Sequence, residues 1–151
     1  MKIDGFLKVP DIPGPSERDG HEEEIEIHGV EYKMEAPHDP NSLSRRGRVR
    51  LDMMIVVKHY DMSSPYLQKA LFDNTLFGEV VFSCRRTIEG ATADYLVVTL
   101  TDASVMLYEM QPSDEEGSED LLEERIGFAY KTITFNYDDA HEIEMSVATG
   151  M

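Results

Sequence analysis

Glu23-Glu24-Ile25-Glu26-Ile27-His28-Gly29-Val30-Glu31-Tyr32-Lys33-Met34 alternates apolar and polar residues. A period of two over this length predicts a half-buried strand. The apolar set changes phase midway: Ile25 and Ile27 are followed by Val30, Tyr32 and Met34. A one-residue slip sends every later side chain to the other face, so the pattern predicts a β-bulge at Gly29.

The same period recurs on both sides of this stretch. Asp4 to Val9 predicts a first strand, and Pro10 to Gly20, with three prolines and two glycines, a loop. Val49 to Lys58 predicts a strand apolar on both faces, covered by the core on one side and by a helix or a neighbour on the other. Val80 to Thr87 and Ala93 to Met110 predict a hairpin that turns at Glu89-Gly90. Leu122 to Tyr137 alternates with a second phase shift near Lys131, and Ile143, Met145 and Val147 make a short last strand. One helix interrupts the pattern. Ser64 is the expected N-cap, Pro65 suits the first turn, Leu67, Ala70, Leu71 and Asn74 share a face, and Asn74 is a left-handed stop. The order predicts a mainly β chain: one domain over residues 1–151, an antiparallel β-barrel of about seven or more strands with one flanking helix.

Between the second and third strands, Ala36 to Gly47 reads as a long unstructured loop with Pro37 and Pro40, ending in a basic run. Arg45, Arg46, Arg48 and Arg50 are four of the chain's 14 Lys and Arg residues. Asp114, Glu115, Glu116, Glu119, Asp120, Glu123 and Glu124 form the opposite pole. A basic loop on one copy facing an acidic loop on the next is a heterologous contact, which builds closed rings or open filaments. Arginine suits it because its planar fork grips carboxylates in pairs.

Composition narrows the function. The net charge of −16 repels phosphate backbones, which argues against nucleic acid. It also opposes self-association, so the few cations must sit where they count. No stretch approaches the ~20 apolar residues of a membrane span. Met1 to Pro10 lacks the basic flank and apolar run of a secretory signal, so the expectation is a chain made in the cytoplasm. The single cysteine, Cys84, sits in an apolar run and reads as a buried thiol.

Chemistry-bearing clusters are weak. In His21-Glu22-Glu23-Glu24-Ile25-Glu26-Ile27-His28, only His28 is in phase with the carboxylates, so a solvated strand face outweighs a zinc site. Asp138-Asp139-Ala140-His141-Glu142 reads as a polar turn, without a nucleophile elbow or a phosphate loop. The expectation is no enzyme, no catalytic residue, no metal and no cofactor. A hydrolase acting through Asp138, Asp139 or His141 and a monomeric ligand-binding barrel are the competing classes.

The motifs in their order resemble one known family: Hcp, the haemolysin-coregulated proteins of type VI secretion. The resemblance rests on Met1-Lys2-Ile3-Asp4-Gly5-Phe6-Leu7-Lys8-Val9 and on the acidic opening of the second strand. Its most specific part is Lys58-His59-Tyr60-Asp61-Met62-Ser63-Ser64-Pro65-Tyr66-Leu67, in which Asp61, Ser64, Pro65 and Leu67 match the opening of the family's helix. Tyr95 to Leu100, Glu119 to Glu124, Phe128 and Tyr137 complete it. The resemblance implies a barrel with a flanking helix, six-membered rings stacked into a tube, and expulsion by a contracting sheath. It further implies sheath, baseplate and spike partners, small effectors as cargo, and export without a signal peptide. Residues 36–48 then contact the neighbouring ring, and Glu31 and Lys33, out of phase with Val30 and Tyr32, are candidates for the channel wall. The chain is more acidic and more polarised than the family pattern. A phage-like tail-tube component shares the architecture and is the nearest alternative.

Overall fold

A computed structural model describes residues 2–41, 43–114, 117 and 121–147. Alternation decides most of it. Strand β1 (Asp4–Lys8) and the short β2 (Ile25–Ile27) and β3 (Gly29–Glu31) are followed by the minor strands β4 (Met34–Glu35) and β5 (Arg50–Leu51). Then come β6 (Met54–His59), helix α1 (Ser64–Asp73), the long hairpin β7 (Phe77–Ile88) and β8 (Ala91–Pro112), and β9 (Leu122–Ala129), β10 (Thr132–Tyr137) and β11 (His141–Ser146). All pairings are antiparallel.

Nine strands form one sheet, in the order β2-β1-β7-β8-β9-β6-β3, with β10 on β8 and β11 on β10. The expected closed barrel is corrected here: the ladder does not join β2 to β6 or β3 to β1, so the hydrogen-bonded sheet stays open. Its two ends are successive pieces of one segment. His28 stands between them, donating its N–H to the Val57 carbonyl (2.9 Å) and accepting from Ile3 N–H (2.9 Å). The phase shift read in the sequence falls here. Ile25 and Ile27 face the core, and Val30 pairs with the buried Val56. Gly29 lies beneath the Val57 side chain, where a β-carbon would come within 3.1 Å.

The second predicted shift is also present. β9 and β10 are separated only by Tyr130 and Lys131, and both continue along β8, which bends at Asp102 (φ 52°). The turn between β7 and β8 uses Glu89 (φ 52°) and Gly90 (φ 82°), a pair of left-handed residues that suits a tight hairpin. Leu7, Ile25, Phe82, Val98, Leu100, Ile126, Phe128 and Ile133 fill the core at 0–1% exposure. Cys84 is buried, as its apolar context predicts, with its Sγ 3.5 Å from the Tyr95 hydroxyl.

Three further expectations change for local reasons. The described residues of Ala36 to Gly47 are mostly irregular, as expected, but they are tied together: β4 pairs with β5 at their base, His38 bridges Arg45, and the Arg46 N–H reaches the Pro37 carbonyl (2.7 Å), so the segment stands out as an arm. The predicted strand from Val49 to Lys58 breaks at Asp52 and Met53, where the arm joins the sheet. At the helix, Ser63 rather than Ser64 holds the N-cap position, without a side-chain cap bond. Asn74 does terminate the helix in the left-handed region (φ 55°, ψ 48°). Leu67 and Ala70 are buried, Leu71 is half-buried and Asn74 is exposed.

Candidate assembly surfaces

The helix-opening motif owes its residues to a buried charge network. Lys58 on β6 is wholly buried, and its Nζ lies 2.5 Å from Glu124 Oε1 on β9 and 3.1 Å from Asp61 Oδ1. It also donates to Ser64 Oγ (2.9 Å) and the His59 carbonyl (3.0 Å). Ser64 accepts from the Asp61 N–H (2.9 Å) and donates to Glu124 (2.7 Å). Asp61 accepts from the Ser63 N–H (2.8 Å). Tyr108 donates to the other Glu124 oxygen, and burial, then that bond, pushes its phenol well above the usual range. Ser64 thus turns inward as a bridge, which is why it does not cap. Pro65 follows in the first turn and Leu67 is fully buried, so the helix is pinned to β6 and β9. Lys58, Tyr108 and Glu124 were not singled out as site residues from sequence. Glu124 was counted with the acidic segment, but it is interior.

A second buried polar anchor ties down the segment before β2. His21 stacks on Phe6 at 4.3 Å, with Nδ1 2.8 Å from Glu24 and Nε2 2.9 Å from Asp94. Arg85 also binds Asp94 (3.0 Å). Glu22 to Glu24 therefore form a turn, not the solvated strand face expected of them. Among the described residues, no group of three or more His, Cys, Asp or Glu side chains could hold a metal ion.

The arm carries the predicted stacking residues. Pro37, Pro40, Arg45, Arg46 and Arg48 are all exposed. None of the three arginines forms a side-chain ion pair with a described residue, whereas Arg50 binds Asp52 (2.9 Å). Leu43, near the arm's tip, is fully exposed. The arm's root is held by Tyr130, whose hydroxyl donates to the Asp52 carbonyl (2.8 Å) and lies 3.1 Å from that of Tyr32. Burial, then the Tyr32 hydroxyl, raises the Tyr130 pKa. Of the predicted acidic counter-patch, only Asp114 is within the described residues, and it is exposed. Glu115, Glu116, Glu119 and Asp120 lie outside them.

The candidate channel residues have local partners. Glu31 on β3 binds Arg125 (2.7 Å), which also binds Glu109 (2.6 Å). The Glu31 bond is the main reason the guanidinium pKa rises. Lys33 lies 3.4 Å from Glu35. Both Glu31 and Lys33 line an open cleft of about 600 Å³ at the arm's root.

Charge is distributed along the long strands. The turns at Glu89-Gly90 and Asp138-Asp139 lie at one end, joined by Arg86, which contacts Asp138 (3.2 Å) and Tyr137 (3.4 Å). Asp138 and Asp139 both adopt positive φ, so this segment is the polar turn its sequence suggests. Asp19 joins them through its carbonyl to Arg85. The arm's root lies at the other end, beside Lys131, whose N–H binds the Thr101 carbonyl. Ala91 to Thr101 is eleven residues of extended chain, roughly 33 Å end to end.

An antiparallel sheet protein with a pinned helix, an acidic end and a basic arm offers surfaces for assembly. The comparisons with known proteins agree. Residues 2–137 match the family model described as "Type VI secretion system effector, Hcp", and the chain belongs to that family. It is 23% identical over 132 residues to the "Major exported protein" of Pseudomonas aeruginosa, covering 85% of this chain and 77% of that one. The Hcp1 protein of E. coli EAEC 042, solved as a double mutant, superposes with a TM-score of 0.79 at 22% identity, over 97% of this chain and 99% of that one. Hcp1 of Salmonella typhimurium gives 0.78 at 21% identity, over 99% and 98%. The family is structural: it builds the type VI secretion tube and is not an enzyme family.

Proposed function

We propose that this chain forms six-membered rings that stack into the inner tube of a type VI secretion system. A contracting sheath then expels the tube, with small effectors held in its channel. The rings are joined along their edges, and the stack is bridged by the arm at residues 36–49. The observation that carries the stacking is the arm itself: an exposed Leu43 flanked by three arginines with no acidic partner among the described residues. Its partner is acidic surface on the next ring, either the segment around Asp114 or the end bearing Asp138 and Asp139. Arm and partner differ, so the contact is heterologous and propagates.

The barrel reading extends the open sheet by one step. His28 bonds both β6 and the residue before β1, and that continuity supports a sheet curled until its two ends meet. Glu31 and Lys33 face the channel in this arrangement. The mechanism is mechanical and needs no bond chemistry. Assembly precedes export, so the tube is built in the cytoplasm, with sheath, baseplate and spike as partners.

Electron microscopy of the purified protein tests the reading. Rings and stacks are expected from the wild type. Arg45→Glu with Arg46→Glu leaves rings and loses stacks. Wild-type filaments from that double variant would sink the role given to the arm.

A further inference from the structure

Two of the chain's five histidines face each other. His28 joins β2 to β3, and its N–H binds the carbonyl of Val57 on β6. His59 is the last residue of β6. The two imidazoles meet at this junction, with ring centroids 4.5 Å apart and planes tilted by 36°. Nε2 is buried in both rings, and His59 Nε2 has no hydrogen-bond partner among the described residues. Ring packing accounts for the short separation but not for that nitrogen, which costs stability unless something else engages it. Both rings also line an open cavity of about 290 Å³, together with Lys2, Asp4, Glu26 and Asp61.

The separation has a meaning in coordination geometry. A metal ion about 2.0–2.1 Å from an imidazole nitrogen lies about 3.2 Å from the centre of the ring. Two rings on one ion are then about 4.5 Å apart at a right angle, and about 5.2 Å apart at the tetrahedral angle. The observed 4.5 Å fits the right angle, which belongs to the tetragonal coordination of Cu²⁺ or Ni²⁺ rather than to zinc.

We propose that His28 and His59 form a two-imidazole site for a divalent transition ion, Cu²⁺ before Ni²⁺. No group of three His, Cys, Asp or Glu side chains is in place among the described residues, so solvent completes the coordination. The surroundings tolerate the added charge: Asp4, Glu26, Asp61 and Glu124 outnumber Lys2, Arg18 and Lys58 by one. The other histidines are poorer ligands. His21 is held between Glu24 and Asp94, and His38 and His141 are exposed. An ion on His28 and His59 staples the β2–β3 segment to the end of β6, at the seam between the two ends of the open sheet. Because it binds the folded chain, it stabilises the fold in proportion to its concentration.

The test titrates the full chain, untagged and stripped of metal with a chelator, with Cu²⁺ alone and with Ni²⁺ alone. Isothermal titration should show one equivalent per chain, with Cu²⁺ the tighter. The melting midpoint should rise with ion concentration. His28→Phe and His59→Phe keep the ring contact, and each should lower affinity about 100-fold and remove the shift in midpoint. His38→Ala with His141→Ala should leave both unchanged. No saturable uptake by the wild type would overturn the site, as would binding that survives in the phenylalanine variants and is lost in the alanine pair. Electron paramagnetic resonance of the Cu²⁺-loaded wild type gives a reading that needs no variant to fold. Two nitrogen donors are expected, and one or none would overturn the proposal.

Discussion

Replacing Lys58 by Met should be among the most damaging single changes outside the apolar core. The substitution keeps length and apolar bulk, but it leaves Glu124, wholly buried, without its cation. Asp61 loses the same partner at 3.1 Å, though it keeps the Ser63 N–H. Breaking a buried pair by removing one member costs about 3–5 kcal/mol, because the surviving charge has already lost its water. Ser64 and Tyr108 still donate to Glu124, which places the cost toward the lower end. At roughly 2–4 °C per kcal/mol for a chain of this size, the midpoint falls by about 6–12 °C. Equilibrium unfolding in guanidinium, followed by circular dichroism at one fixed protein concentration, measures it. Fixing the concentration matters because assembly also stabilises the folded chain. The decisive measurement is the pair Lys58→Met with Glu124→Gln. The amide still accepts from Ser64 and Tyr108 and carries no charge, so much of the loss should return. Near-wild-type stability in Lys58→Met, or a double variant equal to the sum of the singles, would refute the account of the network.

Other consequences can be checked separately. A β-carbon at Gly14 would lie 2.3 Å from the Glu24 carbonyl oxygen, so Gly14→Ala should cost about 1–3 kcal/mol and speed proteolysis between Pro10 and His21. Asn74→Val forces a branched side chain into the left-handed region and should cost about 1–2 kcal/mol by thermal melting, while Asn74→Gly is nearly neutral. Tyr130→Phe removes the bond to Asp52 and should raise hydrogen exchange at the arm's root, with a loss of about 1 kcal/mol. Tyr95, Tyr108 and Tyr130 all have raised pKa values, so in the folded state they bind their protons more tightly than in the unfolded chain. Their contribution is complete below the unfolded value of about 10 and falls as pH rises beyond it. Ultraviolet titration should show these phenols ionising only as the protein unfolds; early ionisation of all seven tyrosines would contradict it.

Local pattern carried most of the architecture and little of the polar detail. The phase shifts at His28–Gly29 and Tyr130–Lys131 were visible because a period of two has to restart when the backbone kinks. The helix was visible through Pro65 and Asn74. The arm's pairing was missed because β4 and β5 are two residues each, too short for any period to mark them. The Lys58–Glu124 bond joins residues 66 positions apart and the His21–Asp94 bond residues 73 apart, which no local window spans. Lys58 could still have been suspected, since it closes a strand with apolar residues on both faces. Closure of the barrel is not legible from the pattern, because alternation fixes which face a residue takes but not whether the last strand meets the first.

To stack, a chain of charge −16 must adhere to itself against its own repulsion. Its cations are unequally committed. Lys58, Arg18, Arg85, Arg86 and Arg125, among others, are spent on partners within the same chain. Lys8, Arg45, Arg46, Arg48 and Lys131 form no ion pair with described residues, and the three arginines among them lie on the proposed stacking contact. Attraction is thus short-ranged and local, while repulsion is spread over the whole surface. Salt separates the two. Screening at a Debye length of about 8 Å, reached near 0.15 M, weakens the diffuse repulsion before it weakens pairs in direct contact. Stacking measured by light scattering should therefore rise with salt at first, then fall toward about 1 M as the arm's ion pairs are screened in turn. Arg45→Glu with Arg46→Glu should give no stacking at any salt, because the attraction itself is gone. A steady rise to high salt in the wild type would show that the arginines contribute nothing to the contact.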